Sequence, residues 1–513
     1  MNKTCTRRDF VRLLVLGGAA LYLPACGDRL AQSDKHISDD SSAQTLGDQT
    51  DSGAIDQQIE EIIEVWDSDD VVFLRQNNPD YAQYKGRFNK DIDKSPAVIA
   101  LCYSTAGVVR AINIARQEGL TVAVKSGGHS FEGFSSNDGG LVVDLTFMNA
   151  ITWDDDQHVR IQPACKLAQL YDELLPQKRL IPAGSCGGVG VGGLTLGGGY
   201  GFFSRRYGLT CDSLTGLTMV DGAGRVHEVR DEHELLWACR GGGNGNFGVV
   251  TEFKFNTHAA PEHFHSHRFK AYKLTTERAR SLLEQWFLFS KNLPESCFSA
   301  FVLNGKTLTL LITNYAEPEA GLQSMLDRFD ELCDKTTVGK AVPLARALKT
   351  YYGRPDPLYF KNASAGLYRS FADIEACIDT VIEKVIHSSG LIYQVNTLGG
   401  KIDSAEFERQ SCYPHRRQLY LSELQAYWEN ESHGAALKRR FDEIQDIFIA
   451  YGIDKQYRNY PNLKFPDWQQ AYYGDNYARL QQIKTTYDPD DVFHHPQSVA
   501  PATPDHAASN QKR

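Results

Sequence analysis

"AGSCGGVGVGGLTLGGGYGFFSRRYGL" runs from Ala183 to Leu209 and holds eleven glycines in 27 residues, with a single cysteine, Cys186, in the densest part. Glycine in an ordered segment costs about 0.5–1 kcal/mol relative to alanine. A fold accepts that cost where the backbone turns through positive φ, or where something approaches the main chain closely. A flexible linker would mix glycine with serine. Here the glycines alternate with Val189, Val191, Leu194, Leu196, Tyr200, Phe202 and Phe203, side chains that belong in a core. The stretch therefore reads as packed backbone pressed against a flat ligand.

The rest of the chain sets the frame. Its 513 residues are enough for two or three domains. A formal charge of −10 gives no footprint for nucleic acid. "TRRDFVR" (Thr6–Arg12) carries a twin arginine, and an apolar run follows from Leu13 to Leu23. Eleven residues are too short to cross a hydrocarbon core about 30 Å thick. The run ends in "LPAC", so residues 1–26 resemble a bacterial twin-arginine signal closing on a lipoprotein box. On that reading the protein is exported to the periplasm or cell envelope and anchored to the membrane through a lipidated Cys26. The alternative is an ordinary cleaved signal with Cys26 incidental. Residues 27–58 are polar and read as a disordered tether.

From about residue 59 the pattern becomes globular. "PAVIALCYS" (Pro96–Ser104) predicts a strand, Thr105–Gly119 a helix, and "LTVAVKSGGHS" (Leu120–Ser130) a strand running into a glycine turn. The strands lack the regular alternation with helices of a doubly wound sheet, so the class is α+β. Between about residues 259 and 455, strands such as Thr307–Tyr315 and Leu391–Gly399 alternate with amphipathic helices such as Thr275–Asn292. That predicts a second α+β domain with an antiparallel sheet.

Two more glycine loops accompany the first. "VKSGGHSFEG" (Val124–Gly133) follows a strand, and its backbone N–H groups can form an anion nest beside His129. "GGGNGNFG" (Gly241–Gly248) contains a literal GxGxxG, but the alternating strand "VVTEFKF" follows it where a dinucleotide fold needs a helix. The loop therefore does not read as an NAD-type site. Three loops within 130 residues suit one long, flat, phosphate-bearing ligand.

The motif order "VKSGGHSFEG", "GSCGGVGVGGLTLGGGYG", "RRYGL", "RGGGNGNFGVVTEF", "YPHRR" and the closing "WQQAYYGDNYARLQQIKTTYDPDDVFHHPQSV" resembles the berberine-bridge-enzyme-like, or oligosaccharide-oxidase-like, branch of the vanillyl-alcohol-oxidase flavoproteins. The resemblance runs from about Tyr81 to Val499. It implies a PCMH-type FAD-binding domain in two subdomains, residues 59–258 completed by 456–500. A substrate domain, 259–455, would roof the flavin, and 501–513 would be a tail. It further implies FAD attached covalently at its 8α methyl by His129 and at C6 by Cys186. Two such bonds are associated with a high reduction potential. The implied cofactor-binding set is Lys125, Ser126, Gly127, Gly128 and Ser130, then Val189, Gly192, Gly193 and Gly198, then Gly248, Val250 and Asn476. A small Val189 beside the flavin leaves room for O₂ and suggests an oxidase making H₂O₂.

The implied reaction takes hydride from an alcohol or hemiacetal of a small molecule or oligosaccharide. It needs a base within hydrogen-bond reach of the substrate hydroxyl. "YRNYPN" (Tyr457–Asn462) resembles the family's Y-x-N-Y-x-D element and points to Tyr460, with Asn462 where an aspartate is usual. Glu423 of "QLYLSELQAYW" is the second candidate, on the same strand face as Leu421 and Gln425. Tyr207 of "RRYGL" is a third site-lining candidate. A tyrosine base needs its pKa lowered from about 10, and Arg416 and Arg458 are the cations expected to do it. His263, His265 and His267 share a strand face but read as a polar sheet face, with no metal expected. Two alternatives stay open: a dehydrogenase of the same fold using another acceptor, and a non-catalytic flavin-binding surface protein.

Overall fold

A computed structural model of the chain describes residues 66–503. The expected signal, Cys26, the tether and nearly all of the tail lie outside the described residues.

Three sheets position the site. The first is four-stranded, with β1 (Val71–Leu74), β2 (Val98–Cys102), β3 (Val122–Lys125) and β4 (Leu141–Asp144) in the order β1-β2-β4-β3. β4 runs parallel to both β2 and β3. The helix Thr105–Gln117 covers it. Ser104 caps that helix by accepting from the Gly107 N–H, and Val108, Ala111, Ile112 and Ala115 are buried. β3 ends at Lys125, so the loop carrying His129 leaves from a sheet edge.

The second sheet has β5 (Ile151–Trp153), β6 (His158–Ile161), β8 (Leu214–Asp221), β9 (Val226–Arg230) and β10 (Gly248–Asn256) in the order β5-β6-β10-β8-β9, every pair antiparallel. A two-residue ribbon joins β7 (Arg179–Leu180) to β11 (His258–Ala259). The GxGxxG loop lies between the helix Glu234–Cys239 and strand β10, the reverse of a dinucleotide-binding order.

The third sheet contains β12 (His263–Tyr272), β13 (Cys297–Asn304), β14 (Thr307–Asn314), β15 (Lys335–Thr337), β16 (Val342–Pro343), β17 (Tyr359–Tyr368), β18 (Leu391–Thr397) and β19 (Tyr420–Trp428). The strand order is β15-β12-β14-β13-β18-β19-β17, with β16 added on β12. Its outer face packs under helices that include Thr276–Ser290, Ile378–Ile386 and Glu431–Ala450. Its inner face meets the second sheet: Phe298, Ala300, Leu311, Phe360 and Tyr427 share one core with Leu217, Phe253 and Phe255. Strands covered on both faces ordinarily read as unbroken apolar runs. All nine residues of β19 are buried, yet Glu423 and Gln425 are among them. Leu424, Ala426 and Trp428 face the helices, so Glu423, Gln425 and Tyr427 face the other domain.

The C-terminal segment closes the structure. The Gly199 N–H donates to Tyr457 Oη at 2.9 Å, and Asn459 Nδ2 donates to the Leu194 carbonyl at 3.0 Å. The last helix, Tyr477–Tyr487, places Lys484 where its ammonium donates to the carbonyls of Asn246 and Phe493.

Candidate active site

The three glycine loops meet around a cavity of about 300 Å³ that runs from the first sheet to beneath the third. Two of the loops touch directly. A Cβ on Gly190 would lie 2.6 Å from the Gly127 nitrogen, and one on Gly127 would lie 2.3 Å from the Gly190 nitrogen. A Cβ on Gly187 would enter the Tyr352 ring at 2.8 Å. Much of the glycine in the Ala183–Leu209 stretch therefore answers to protein backbone and side chains rather than to a ligand. Gly193 in that stretch and Gly245 in the third loop are the exceptions. Both line the cavity, and nothing lies within 4 Å of where their Cβ would be.

His129 and Cys186 approach a single residue, Gly188. A Cβ there would sit 3.1 Å from His129 Nε2. The His129 ring stacks on Phe88 at 4.1 Å. Burial, helped by the charge of Lys166, pushes the imidazole down to about 4 against a hydrogen bond with the Gly188 backbone, so it is neutral at ordinary pH. Burial raises the Cys186 thiol, with the Gly188 backbone again opposing. Both groups line the cavity.

The roof supplies a polar wall. Tyr200 Oη and Tyr460 Oη are 3.1 Å apart. Asn396 Nδ2 donates to Tyr200 Oη at 3.1 Å, and Gln394 Nε2 donates to Asn396 Oδ1 at 2.8 Å. Gln425 Nε2 donates both to Gln394 Oε1 at 3.2 Å and to Glu423 Oε2 at 3.0 Å. Asn362 Nδ2 donates to Tyr427 Oη at 3.0 Å, which leaves its buried Oδ1 without a hydrogen-bond partner. Burial, only partly offset by hydrogen bonds from Gln425 and Asn362, raises the Glu423 carboxyl to about 8. At neutral pH it is an uncharged acid. Burial, then the neighbouring Tyr200 and Glu423, pushes the Tyr460 phenol well above its ordinary value.

Of the residues expected from sequence, Ser126, Gly127, Gly128, His129, Ser130, Cys186, Val189, Gly192, Gly193, Gly248, Val250 and Tyr460 line the cavity. Others do not. Lys125 donates to the Tyr84 carbonyl and pairs with Asp144, its register partner on β4. Gly198 takes φ +115° and packs toward Tyr413 and Tyr457. Asn476 donates to the Cys412 carbonyl. Tyr207 stacks on His258 and donates to the Ala259 carbonyl. Glu423 stands behind the lining: it accepts from Gln425, which also donates to the lining residue Gln394. Of the two expected cations, Arg416 is off the lining and bidentate on Asp212, while Arg458 lines the cavity but donates to Tyr473 Oη. His267 is held by Asn314 and by the Gly339 N–H. Among the lining residues not anticipated as site residues are Tyr200, Asn362, Gln394 and Asn396. For the last three the signal was polarity on strands that should otherwise be apolar.

These features fit FAD. The cavity is long, two cradling glycines leave open space along it, and a neutral imidazole and a thiol face one wall. Asn244 Oδ1 on the lining is buried without a hydrogen-bond partner.

Comparison with known proteins agrees. An FAD-binding-domain model matches residues 96–230, and a "Berberine and berberine like" model matches residues 456–500. The chain is 30% identical to glucooligosaccharide oxidase of Sarocladium strictum, over 84% of this chain and 93% of that protein. Its fold matches a solved chitooligosaccharide oxidase with TM-score 0.75 and 26% identity, over 84% of this chain and 98% of that one. Physcomitrella patens BBE-like 1 matches in fold at TM-score 0.78 and 23% identity, over 87% and 99% of the two chains.

Proposed function

Because this chain belongs to the berberine-bridge-enzyme-like and oligosaccharide-oxidase family of FAD-linked oxidoreductases, we propose that it is an oxidase of sugar hemiacetals or related alcohols. The observation that carries this reading is the polar wall Tyr460–Tyr200–Asn396–Gln394, set across one cavity from His129 and Cys186.

When bound, FAD supplies the two-electron acceptor. His129, neutral at working pH, and Cys186 are the residues that hold it, in our reading through covalent bonds. Tyr460 is assigned as the base in its phenolate form, the form burial disfavours, and in that form takes the proton from the substrate hydroxyl as hydride leaves the adjacent carbon. The wall is polarised to support this. The Asn396 amide donates to Tyr200 Oη; if the Tyr200 hydroxyl in turn donates to the Tyr460 oxygen, that bond favours a phenolate there, against the burial that holds the phenol up. Glu423 helps by staying neutral, because an ionised carboxylate beside the tyrosine pair would oppose a phenolate. It thus serves as a neighbour of the base and not as the base. The orphan acceptor on Asn362 suits a substrate rich in hydroxyl donors, as the names of the oligosaccharide-oxidising relatives also suggest. Val189 on the lining supports O₂ as the final acceptor.

Anaerobic mixing of the flavoprotein with neutral reducing oligosaccharides tests this reading. Bleaching of the flavin, followed by recovery and stoichiometric H₂O₂ when O₂ is admitted, is the expected result. Bleaching with slow recovery in O₂ would identify a dehydrogenase instead. Absence of bleaching across sugars and simple alcohols would overturn the substrate class.

A further inference from the structure

The charges around the cavity are one-sided. Its lining includes Arg354 and Arg458 and no Asp, Glu or Lys, while burial holds the lining histidines His129 and His495 neutral. This occurs in a chain whose net charge is −10. Glu423, the carboxyl nearest the polar wall, is uncharged below about pH 8. Four of the five basic groups are already engaged. Arg458 donates to Tyr473 and lies over the Phe134 and Tyr472 rings. His494 pairs with Asp491, His495 stacks on Phe134, and His129 stacks on Phe88. Among the described residues Arg354 has no hydrogen bond or ion pair, although it is half-buried on the cavity lining. Asp356, two residues on, is exposed and does not pair with it.

The position of Arg354 is fixed from both sides. Before it, the Tyr352 carbonyl accepts from the Gly187 N–H at 2.9 Å, and the Tyr352 ring fills the space beside Gly187. After it, the Leu358 N–H donates to the Phe88 carbonyl at 3.0 Å, and the Lys90 N–H donates to the Leu358 carbonyl at 2.8 Å. Phe88 is the ring stacked on His129. The segment carrying Arg354 is therefore pinned to the Cys186 loop at one end and to the residues beside His129 at the other. Leu358, Phe360 and Asn362 then carry the lining from this segment into the roof.

We propose that Arg354 is a specificity-determining residue that binds a carboxylate on the substrate, so that the preferred donor is an acidic sugar such as a uronate-bearing oligosaccharide. This deepens the oxidase reading and rests on it for the chemistry, but not for the binding. A guanidinium offers a planar fork suited to a carboxylate. In a partly desolvated cavity, a guanidinium with no partner of its own sets a local positive field that favours an anionic group beside it.

Isothermal titration of the FAD-loaded protein tests the proposal with two redox-inert probes. One is a disaccharide methyl glycoside ending in a uronate; the other is its carboxyl-reduced neutral counterpart. We expect the uronate to bind at least about tenfold more tightly at low ionic strength, the size of one charge-assisted hydrogen bond. Added salt should shrink the advantage. Arg354→Gln should bring the ratio of the two affinities near one, and Arg354→Lys should keep part of it. Binding of neither probe, equal binding, or an advantage retained in Arg354→Gln overturns the proposal. So does loss of FAD from Arg354→Gln, which would assign the side chain to the cofactor. Anaerobic bleaching by the free reducing uronate is read separately. Arg354-dependent binding without bleaching would sink the oxidase reading and leave the carboxylate site standing.

Discussion

Replacing Glu423 with glutamine should make the protein's stability less sensitive to pH, by an amount the burial of this side chain sets. Glu423 is 0% exposed, and its carboxyl is raised from 4.5 to about 8. Below about pH 4.5 the group is protonated in both the folded and unfolded chain and adds no pH dependence. Between about pH 4.5 and 8 the unfolded chain ionises while the folded one holds its proton, so stability falls by about 1.4 kcal/mol per pH unit. From about pH 5 to about pH 7.5 the loss is about 3 kcal/mol. Glutamine keeps the shape, can still accept from Gln425, and cannot ionise. Unfolding entropies near 2.1 cal/mol/K per residue give a chain of this length about 1 kcal/mol per kelvin. The melting temperature of Glu423→Gln, relative to wild type, should therefore rise by about 3 °C between about pH 5 and about pH 7.5. Scanning calorimetry on matched flavin-loaded samples reads this directly. A difference that stays constant across that range would refute the claim that Glu423 is held neutral, and with it the electrostatic support given to Tyr460.

Other substitutions separate the parts of the account. Tyr460→Phe should lower kcat/KM for any oxidised sugar by about 10²–10⁴-fold at unchanged flavin content, as expected for a lost proton acceptor. Gly190→Ala places a Cβ 2.6 Å from the Gly127 nitrogen. Forcing the two loops apart should cost about 1–3 kcal/mol, and the ratio of flavin to protein absorbance after gel filtration should drop. Tyr207→Phe removes only a hydroxyl donated to the Ala259 carbonyl. It should change stability by less than about 0.5 kcal/mol and leave kcat/KM within about twofold. A large loss of activity in that variant would return Tyr207 to the site.

The loops that build the cavity were legible because glycine among core side chains is costly unless geometry requires it. The exclusion of an NAD-type site was equally legible, since the strand after Gly248 is β-branched and alternating. The partners of those glycines were not. Gly187 makes room for Tyr352, 165 residues away in sequence, and no local pattern announces that contact. Alternation along β19 placed Glu423 and Gln425 on one face, but lateral neighbours follow from strand order. The order β18-β19-β17 sets Gln394 and Ser364 on either side of Glu423, and it cannot be read from a single strand. Lys125 lies off the cavity lining for a related reason. Its carboxylate partner, Asp144, lies on a parallel neighbour that the sequence does not name. Tyr200 stood in plain view inside the glycine stretch and read as a core aromatic, because what distinguishes it is a hydroxyl contact made across domains.

The central claim is that His129 and Cys186 together hold the flavin against the wall that ends in Tyr460. Peptide mass spectrometry of acid-denatured, flavin-loaded protein tests it most directly. The account predicts FAD retained by a cross-linked pair of peptides, one containing His129 and the other Cys186. Release of all the FAD on denaturation, or its attachment to any other residue, would contradict it.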